Sequence, residues 1–239
     1  MLNGYDAYLH EISKARQVGL LEKLGIRYPR ARVINSAPLA PAAAEGLKFP
    51  VILKPNIGGS GAMIVRFNSM EELSEAANNG NMNLGIDQTA LIQEYLPAEN
   101  SSIIRVEVLD GEFLYAIRLF LTEGEFNLCP ADYCLPPVVE GHLGDGMAGG
   151  VSGRGNLVGA YTPPDDIIDD VLRITSAANI EVGGVEYLVN TRDAEVYYYD
   201  INALSNFVAD APNVIGFDPF PRLVDFIMKR AGIRSAVIA

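Results

Sequence analysis

The stretch that most constrains this chain is Phe49 to Arg66, which reads FPVILKPNIGGSGAMIVR. Val51, Ile52 and Leu53 make a short apolar run that ends in Lys54 and Pro55. Gly58, Gly59, Ser60 and Gly61 follow, and then a second apolar run, Met63, Ile64 and Val65. The pattern is strand, glycine loop, strand, with one ammonium group at the lip of the loop. Glycine admits the positive φ torsions and the close approach that let successive backbone N–H groups fold over an anion. A lysine fixed at the strand end reaches the same anion as a point charge. The run differs from the Walker loop, because no Gly-Lys-Ser/Thr follows it and the next element is a strand, not a helix. A hairpin with a loose glycine turn and a surface lysine fits the same residues.

At 239 residues the chain can bury a sizeable core, as one large domain or as two lobes. Its net charge of −12 argues against nucleic acid as a main partner, since affinity there comes from neutralised phosphates, but leaves room for a nucleotide on a local basic cluster. The sequence shows no basic leader with an apolar centre and no apolar run approaching the ~18 residues of a membrane span, so no membrane role is expected. Cys129 and Cys134, with no export signal, point to a reducing, cytoplasmic setting.

Asp6 to Leu24 carries Ile12, Ala15, Leu20, Leu21 and Leu24 near a 3.6 period, which predicts one helix stopped by Gly25, with Lys14 and Arg16 on a solvated face by default. Arg32 to Ile34 is a short strand, and Ser69-Met70-Glu71-Glu72 is a capping box that opens a helix to about Asn78. Leu91 to Leu96 is a strand stopped by Pro97. Ile103 to Leu109, Asp110-Gly111 and Glu112 to Leu121 form the clearest hairpin signal. Arg105 on its first strand alternates with Ile103 and Glu107, and Arg118 sits on its second. An arginine facing the sheet interior needs an anion and one facing water needs nothing; periodicity slightly favours the solvated reading. Asp165 to Ala178 and Asp218 to Ala231 are the last two helices.

Val185 to Val189, a polar turn, and Glu195 to Asn202 read as a second antiparallel hairpin. A turn symmetric about Asp193 sets Glu186 opposite Asp200, and Asn202, two residues on, faces the same side. Alternation puts Val196 and Tyr198 on that side too. Carboxylates directly opposite on a sheet repel, so the pair makes sense if a hard divalent cation lies between them, because Mg²⁺ takes one or two carboxylates plus phosphate oxygens. An exposed polar edge is the competing reading.

The order of these parts resembles the ATP-grasp superfamily, and within it the carboxylate–amine ligases similar to ribosomal-protein glutamate ligases. The matching motifs are Ser13-Lys14-Ala15-Arg16 with Leu20-Leu21 and Gly25-Ile26, then Phe49 to Pro55 with the glycine loop. Gln93-Glu94-Tyr95-Leu96 and the pair Val185-Glu186-Tyr187 and Asp200-Ile201-Asn202 complete the set. The resemblance implies an α/β (α+β), two-lobed fold with the nucleotide between a small lobe of about 29–92 and a large lobe of about 93–239, the helix 6–24 packed on the latter. It implies that Lys14 and Lys54 hold the α- and β-phosphates, while Gly59, Ser60 and Gly61 close over the β/γ end. Glu94 would accept the adenine amino group, with backbone from Tyr95 and Leu96, and Glu99 would bind the ribose. Arg105 and Arg118 would neutralise the γ-phosphate and the acyl phosphate, and Glu186, Asp200 and Asn202 would carry Mg²⁺ or Mn²⁺. The activity implied is ATP-dependent joining of a small-molecule carboxylate to an amine through an acyl phosphate, releasing ADP and phosphate. A non-catalytic ATP-binding subunit or regulatory module is the alternative.

Three features depart from that family. Its members usually carry an α/β domain ahead of the lysine helix, so a partner chain, a second copy or a longer chain is expected to supply it. The metal hairpin usually reads Asp first and Glu second, the reverse of Glu186 and Asp200. The Cys129-x4-Cys134 segment and the stretch 141–159, with eight glycines in nineteen residues, match no known specificity. Two reduced thiols fit Cys129 and Cys134 best, since zinc needs two further ligands. Gly144, Gly146 and Gly149 match the dinucleotide pattern without the strand before and helix after that it requires.

Overall fold

The turn and alternation signals of the sequence assemble into two antiparallel sheets. The structure, a computed structural model, describes residues 1–59, 61–121, 150–151 and 157–233. Ser60, Cys129, Cys134 and most of the stretch 141–159, Gly144, Gly146 and Gly149 included, lie outside the described residues.

The N-terminal segment is two helices where the apolar period predicts one: α1 (Tyr5–Glu11) and α2 (Lys14–Leu24). The break falls at Ser13, an N-cap in extended conformation whose side chain accepts a hydrogen bond from the Arg16 N–H. Strands β1 (Ala31–Ile34), β2 (Val51–Pro55), β3 (Val65–Phe67) and β4 (Ala90–Glu94) form the smaller sheet in the order β1-β4-β2-β3. The second apolar run of the central stretch therefore enters the sheet only at Val65. Helices α3 (Ala40–Ala44) and α4 (Met70–Asn78) cover one face of this sheet, where Val51, Leu53 and Ile92 pack against Ala40, Ala44 and Leu73.

The larger sheet contains β5 (Ser102–Leu109), β6 (Glu112–Phe120), β7 (Gly150–Val151), β8 (Leu157–Tyr161), β9 (Val182–Val189) and β10 (Val196–Asn202), in the order β10-β9-β5-β6-β8-β7. Asp110 and Gly111, both at positive φ, close the β5–β6 hairpin as their dipeptide predicts. Helix α5 (Asp165–Ala177) lies with α1 and α2 on one face, where Ile104, Val185, Tyr187 and Ile201 share a core with Ala7, Leu21 and Val171. Helices α6 (Ala211–Ile215) and α7 (Phe220–Arg230) serve the other face, where Ile103, Ile117 and Leu188 meet Phe207, Val214 and Phe226. Among the described residues no helix is long and apolar enough to cross a membrane.

One irregularity decides which residues of β10 share a face with Asp200. Tyr198 pairs with Tyr187 whereas Asp200 pairs with Glu186, so Tyr199 is an extra residue on β10. A one-residue bulge reverses the alternation beyond it. Tyr198 consequently joins Tyr187 in the helix-covered core, their ring centroids 5.7 Å apart, and does not share a face with Asp200 as simple alternation predicts. The same bulge brings Asp200 into line with Glu186, the register the sequence implies.

Candidate active site

Lys14 is placed by its neighbour Asn56, just past the end of β2. The Asn56 carbonyl accepts from the Lys14 N–H at 3.1 Å, and its Oδ1 accepts from the Ala15 N–H and the Ser13 hydroxyl, both at 3.0 Å. The first turn of α2 is thereby docked on the small sheet, and Lys14 is buried where helical periodicity predicts a solvated face. Lys14 Nζ lies 2.6 Å from Asp200 Oδ1, and Lys54 Nζ lies 3.4 Å from the same oxygen and 3.2 Å from the Tyr199 carbonyl. Each lysine comes from a different element and both converge on the bulged strand of the large sheet.

Register carries the network across the sheet. Arg105 pairs with Glu186 and Glu107 with Gly184, while Glu186 and Gly184 pair in turn with Asp200 and Asn202. Arg105 is 4% exposed, with its Nε 2.6 Å from Glu107 and its NH1 3.3 Å from Glu186, so the solvated reading of this arginine is replaced by a buried ion pair. Arg118 does not join it. Its partner across the hairpin is Ile104, on the opposite face, and its guanidinium lies 4.4 Å from the centre of the Tyr161 ring. The expectation that Arg105 and Arg118 act together is corrected by their register: an odd offset between paired strands puts them on opposite sides of one sheet.

The charges are strongly coupled. Burial pushes the Glu186 carboxyl up to about 7 and the neighbouring Asp200 charge adds to this, against the opposing pull of Arg105. Burial also acts to raise Asp200, but Lys14 and then Lys54 overcome it and hold that carboxyl at about 2. Lys14 is raised because Asp200 outweighs its burial, whereas Lys54, farther from Asp200, is lowered by burial. Burial, then Glu186 and Asp200, keep the Tyr199 phenol well above its ordinary value. Two facing carboxylates that resist simultaneous ionisation suit a divalent cation. Beside them, the buried Asn202 Nδ2, a donor, has no hydrogen-bond partner among the described residues, and the oxygen of the same amide is of the type that ligates Mg²⁺. Glu186, Asp200 and Asn202 thus fit a Mg²⁺ that draws its remaining ligands from phosphates.

A cavity of about 110 Å³ opens between the sheets beside Lys54, lined by Ile52, Gln93, Leu96, Ile103, Leu188 and Tyr199. Gln93 pairs with Ile52 and shares its cavity face; it is 7% exposed, a position the motif Gln93-Glu94-Tyr95-Leu96 alone does not distinguish from Glu94. Glu94 and Tyr95 also line the cavity, but Glu94 pairs with Val51 on the core-facing side. There its carboxylate accepts from the Lys48 N–H at 2.8 Å and lies 3.5 Å from Arg30. The side chain expected to read adenine is turned away, and the residue before it is turned in. Glu99 is exposed on the turn after Ala98, itself a lining residue. Gly59 and Gly61 lie between β2 and β3, where the Gly59 carbonyl accepts from the Ala62 N–H and Gly61 has a φ of 68°.

Two sheets flank a polar-ended cavity, with lysines from one side and acids from the other, an arrangement of α+β elements suited to an anionic ligand. Comparison with known proteins narrows this. Residues 12–129 match the RimK-like ATP-grasp domain. The D-alanine–D-alanine ligase of Haemophilus influenzae (strain PittEE) is 36% identical over 126 residues, 51% of this chain and 40% of that enzyme. That of Mannheimia succiniciproducens is 35% identical over 89 residues, 37% of this chain and 27% of that enzyme. Among solved structures, the ATP-grasp ligase PsnB with a phosphomimetic variant of its minimal precursor, Mg and ADP superposes with a TM-score of 0.66. The match is 17% identical and covers 96% of this chain and 62% of that one. PsnB with the minimal precursor gives 0.64 over 96% and 63%. Residues 12–129 are thus similar to an ATP-grasp domain, and the fold of the chain is that of the ATP-grasp ligases it superposes on. It spans less than half the length of either D-alanine–D-alanine ligase and under two thirds of PsnB.

Proposed function

We propose that this chain is the nucleotide-binding and catalytic body of an ATP-dependent carboxylate–amine ligase. The observation that carries the reading is the convergence of Lys14 and Lys54 on Asp200, opposite Glu186 and Arg105, at one end of the cavity between the sheets. In this reading the adenine occupies the cavity. Gln93 offers it both a donor and an acceptor, and the backbone of Glu94, Tyr95 and Leu96 completes the edge. Glu99 takes the ribose hydroxyls. Lys14 and Lys54 leave Asp200 for the α- and β-phosphates, and the loop of Gly59, Ser60 and Gly61 covers the β/γ end. Glu186, Asp200 and Asn202 would hold Mg²⁺, whose contribution is to neutralise charge on the β- and γ-phosphate oxygens.

Phosphoryl transfer of this kind depends on positioning and charge neutralisation, and these residues supply both without a nucleophilic side chain. A carboxylate oxygen of the substrate bonds to the γ-phosphorus as the bond to the β–γ bridging oxygen breaks, and ADP leaves. The amine then bonds to the acyl carbon, the carbon–oxygen bond to phosphate breaks, and the amine gives up a proton. Arg105 faces the developing negative charge. The carboxylate and amine are small molecules or a peptide, and a partner chain, a second copy or further sequence would complete their site.

The test is incubation with Mg-ATP and pooled amino and carboxylic acids, following ADP and phosphate. Phosphate release that depends on the pool supports the ligase. AMP and pyrophosphate as products reject the acyl-phosphate route. ATP binding without turnover in any pool favours a non-catalytic nucleotide-binding module.

A further inference from the structure

Glu107 is buried at 1% exposure and has no part in the phosphate, base or metal roles assigned above. Its two carboxylate oxygens are both engaged. Oε1 accepts from Arg105 Nε at 2.6 Å, and Oε2 accepts from the Ser205 hydroxyl at 2.5 Å. Ser205 lies in the segment that leaves β10 just after Asn202, so one carboxylate links β5 to the stretch following the proposed metal strand. Room for it is made by Gly184, directly opposite on β9: a Cβ there would come within 3.0 Å of both Arg105 Nε and the Glu107 carboxyl.

Arg105 therefore has two carboxylates within reach and is held unequally, at 2.6 Å by Glu107 and at 3.3 Å by Glu186. We infer that Glu107 is a positioning residue: it holds Arg105 by its Nε edge and so leaves the Glu186 carboxylate to a cation. The inference rests on the ligase reading of the site. If the charge on Glu107 is lost, the guanidinium turns wholly to Glu186, and a cation must then compete with it for that carboxylate. A purely structural carboxylate would behave differently. A glutamine in its place has nearly the shape of the native side chain, its carbonyl can accept from Arg105, and its amide can donate to the Ser205 oxygen. Shape alone therefore ranks Glu107→Gln as the mild change and the shorter Glu107→Asp as the severe one. A charge role ranks them the other way.

The experiment is calorimetric titration of the full chain with ADP over a series of Mg²⁺ concentrations, alongside thermal unfolding of the ligand-free protein. Glu107→Gln is expected to raise the Mg²⁺ concentration for half-maximal enhancement of ADP binding by roughly tenfold, with metal-free ADP binding nearly unchanged. Glu107→Asp is expected to stay within about threefold, and Ser205→Ala, which frees one oxygen of Glu107 and keeps its charge, to shift it about twofold. Ser205→Ala keeps the test decisive if Glu107→Gln does not fold: no shift in that variant overturns the inference. So does a larger loss in Glu107→Asp than in Glu107→Gln, or an unshifted Glu107→Gln. ADP binding by the unaltered protein that ignores Mg²⁺ overturns the reading of the site itself, an outcome seen before any substitution is made.

Discussion

Lys14 and Asp200, near opposite ends of the sequence, form a 2.6 Å ion pair in which both side chains are largely buried. One partner is the lysine assigned to a phosphate and the other is a carboxylate assigned to the metal. Each neutralises the other, with Lys54 as a second cation on the same oxygen. Mg-ATP would bring both replacements at once, a phosphate for the lysines and a cation for the acid. On the proposed reading, binding in this site is an exchange of partners that spares these buried charges from being left alone.

That arrangement sets the pH dependence of stability. Glu186 holds its proton up to about 7 in the fold, through burial and the Asp200 charge, whereas the unfolded side chain ionises near its ordinary value. Between those two values the folded state binds more protons, so stability is greatest at the acidic end and falls as pH rises toward 7. Arg105 and Tyr199, which also face Glu186, are both raised and keep their charge state across this window, whereas Lys54 beside them is lowered by burial. Urea unfolding of the ligand-free protein at pH 5, 6, 7 and 8 should show this decline. Glu186→Gln should flatten it, and a stability that climbs over the same window would refute the assignment. Asp200 contributes in the opposite sense, losing its stabilisation only as pH falls below about 4 toward 2.

The adenine edge gives a second test, because the structure exchanges two neighbouring residues. Gln93 faces the cavity with Ile52, while Glu94 accepts from the Lys48 N–H on the other face. Gln93→Leu should weaken ADP binding by about tenfold, the worth of one or two hydrogen bonds to a base. Glu94→Gln keeps an acceptor for Lys48 and should change binding by less than about threefold. Calorimetry on the two variants decides between them, and the reverse ranking would restore Glu94 as the base reader.

Much of this geometry was legible in the sequence, and the failures share a cause. The β5–β6 hairpin follows from Asp110-Gly111, and the facing of Glu186 and Asp200 follows from counting about Asp193. Both are local. Alternation then misplaces Tyr198, because the bulge at Tyr199 leaves no mark in the pattern of apolar residues. Counting also separates Arg118 from Arg105 only once the hairpin register is known, since neither strand alone reveals which of its faces is inward. The helix break is legible in Ser13, a capping residue in front of Lys14, although the longer apolar period runs across it. The burial of Lys14 was not, because it depends on Asn56 and Asp200, both distant in sequence.

Gly183 offers a test of how closely β9 and β10 are fitted. A Cβ at that position would run into the Asn202 carbonyl oxygen and the Ile180 side chain, and the first of these is backbone that cannot yield without moving the strand. Gly183→Ala should cost about 1–3 kcal/mol of stability and displace Asn202. Gly159→Ala, where an added Cβ meets nothing within 4 Å, should be near neutral. Chemical unfolding of both variants reads the difference, and equal stabilities would mean that the strand pair is looser than its contacts imply.

The reversed acid pair decides the catalytic reading. Mg²⁺ holds its oxygens at about 2.0–2.1 Å in near-octahedral geometry, so ligand reach matters. Glu186 carries one more methylene than an aspartate and Asp200 one fewer than a glutamate, which moves the ion toward β10 but keeps the span and the charge. Asp200→Glu should therefore retain much of the activity. Asp200→Asn removes the charge that neutralises Lys14 and Lys54, and should abolish most turnover while costing on the order of 3 kcal/mol of stability. Asn202→Leu should weaken Mg²⁺ binding and leave metal-free nucleotide binding almost intact. ATP turnover against Mg²⁺ concentration for the three variants, with ADP titrations beside it, separates these effects. Near-native turnover in Asp200→Asn would remove this hairpin from the chemistry and leave the two lysines as parts of a nucleotide-binding module alone.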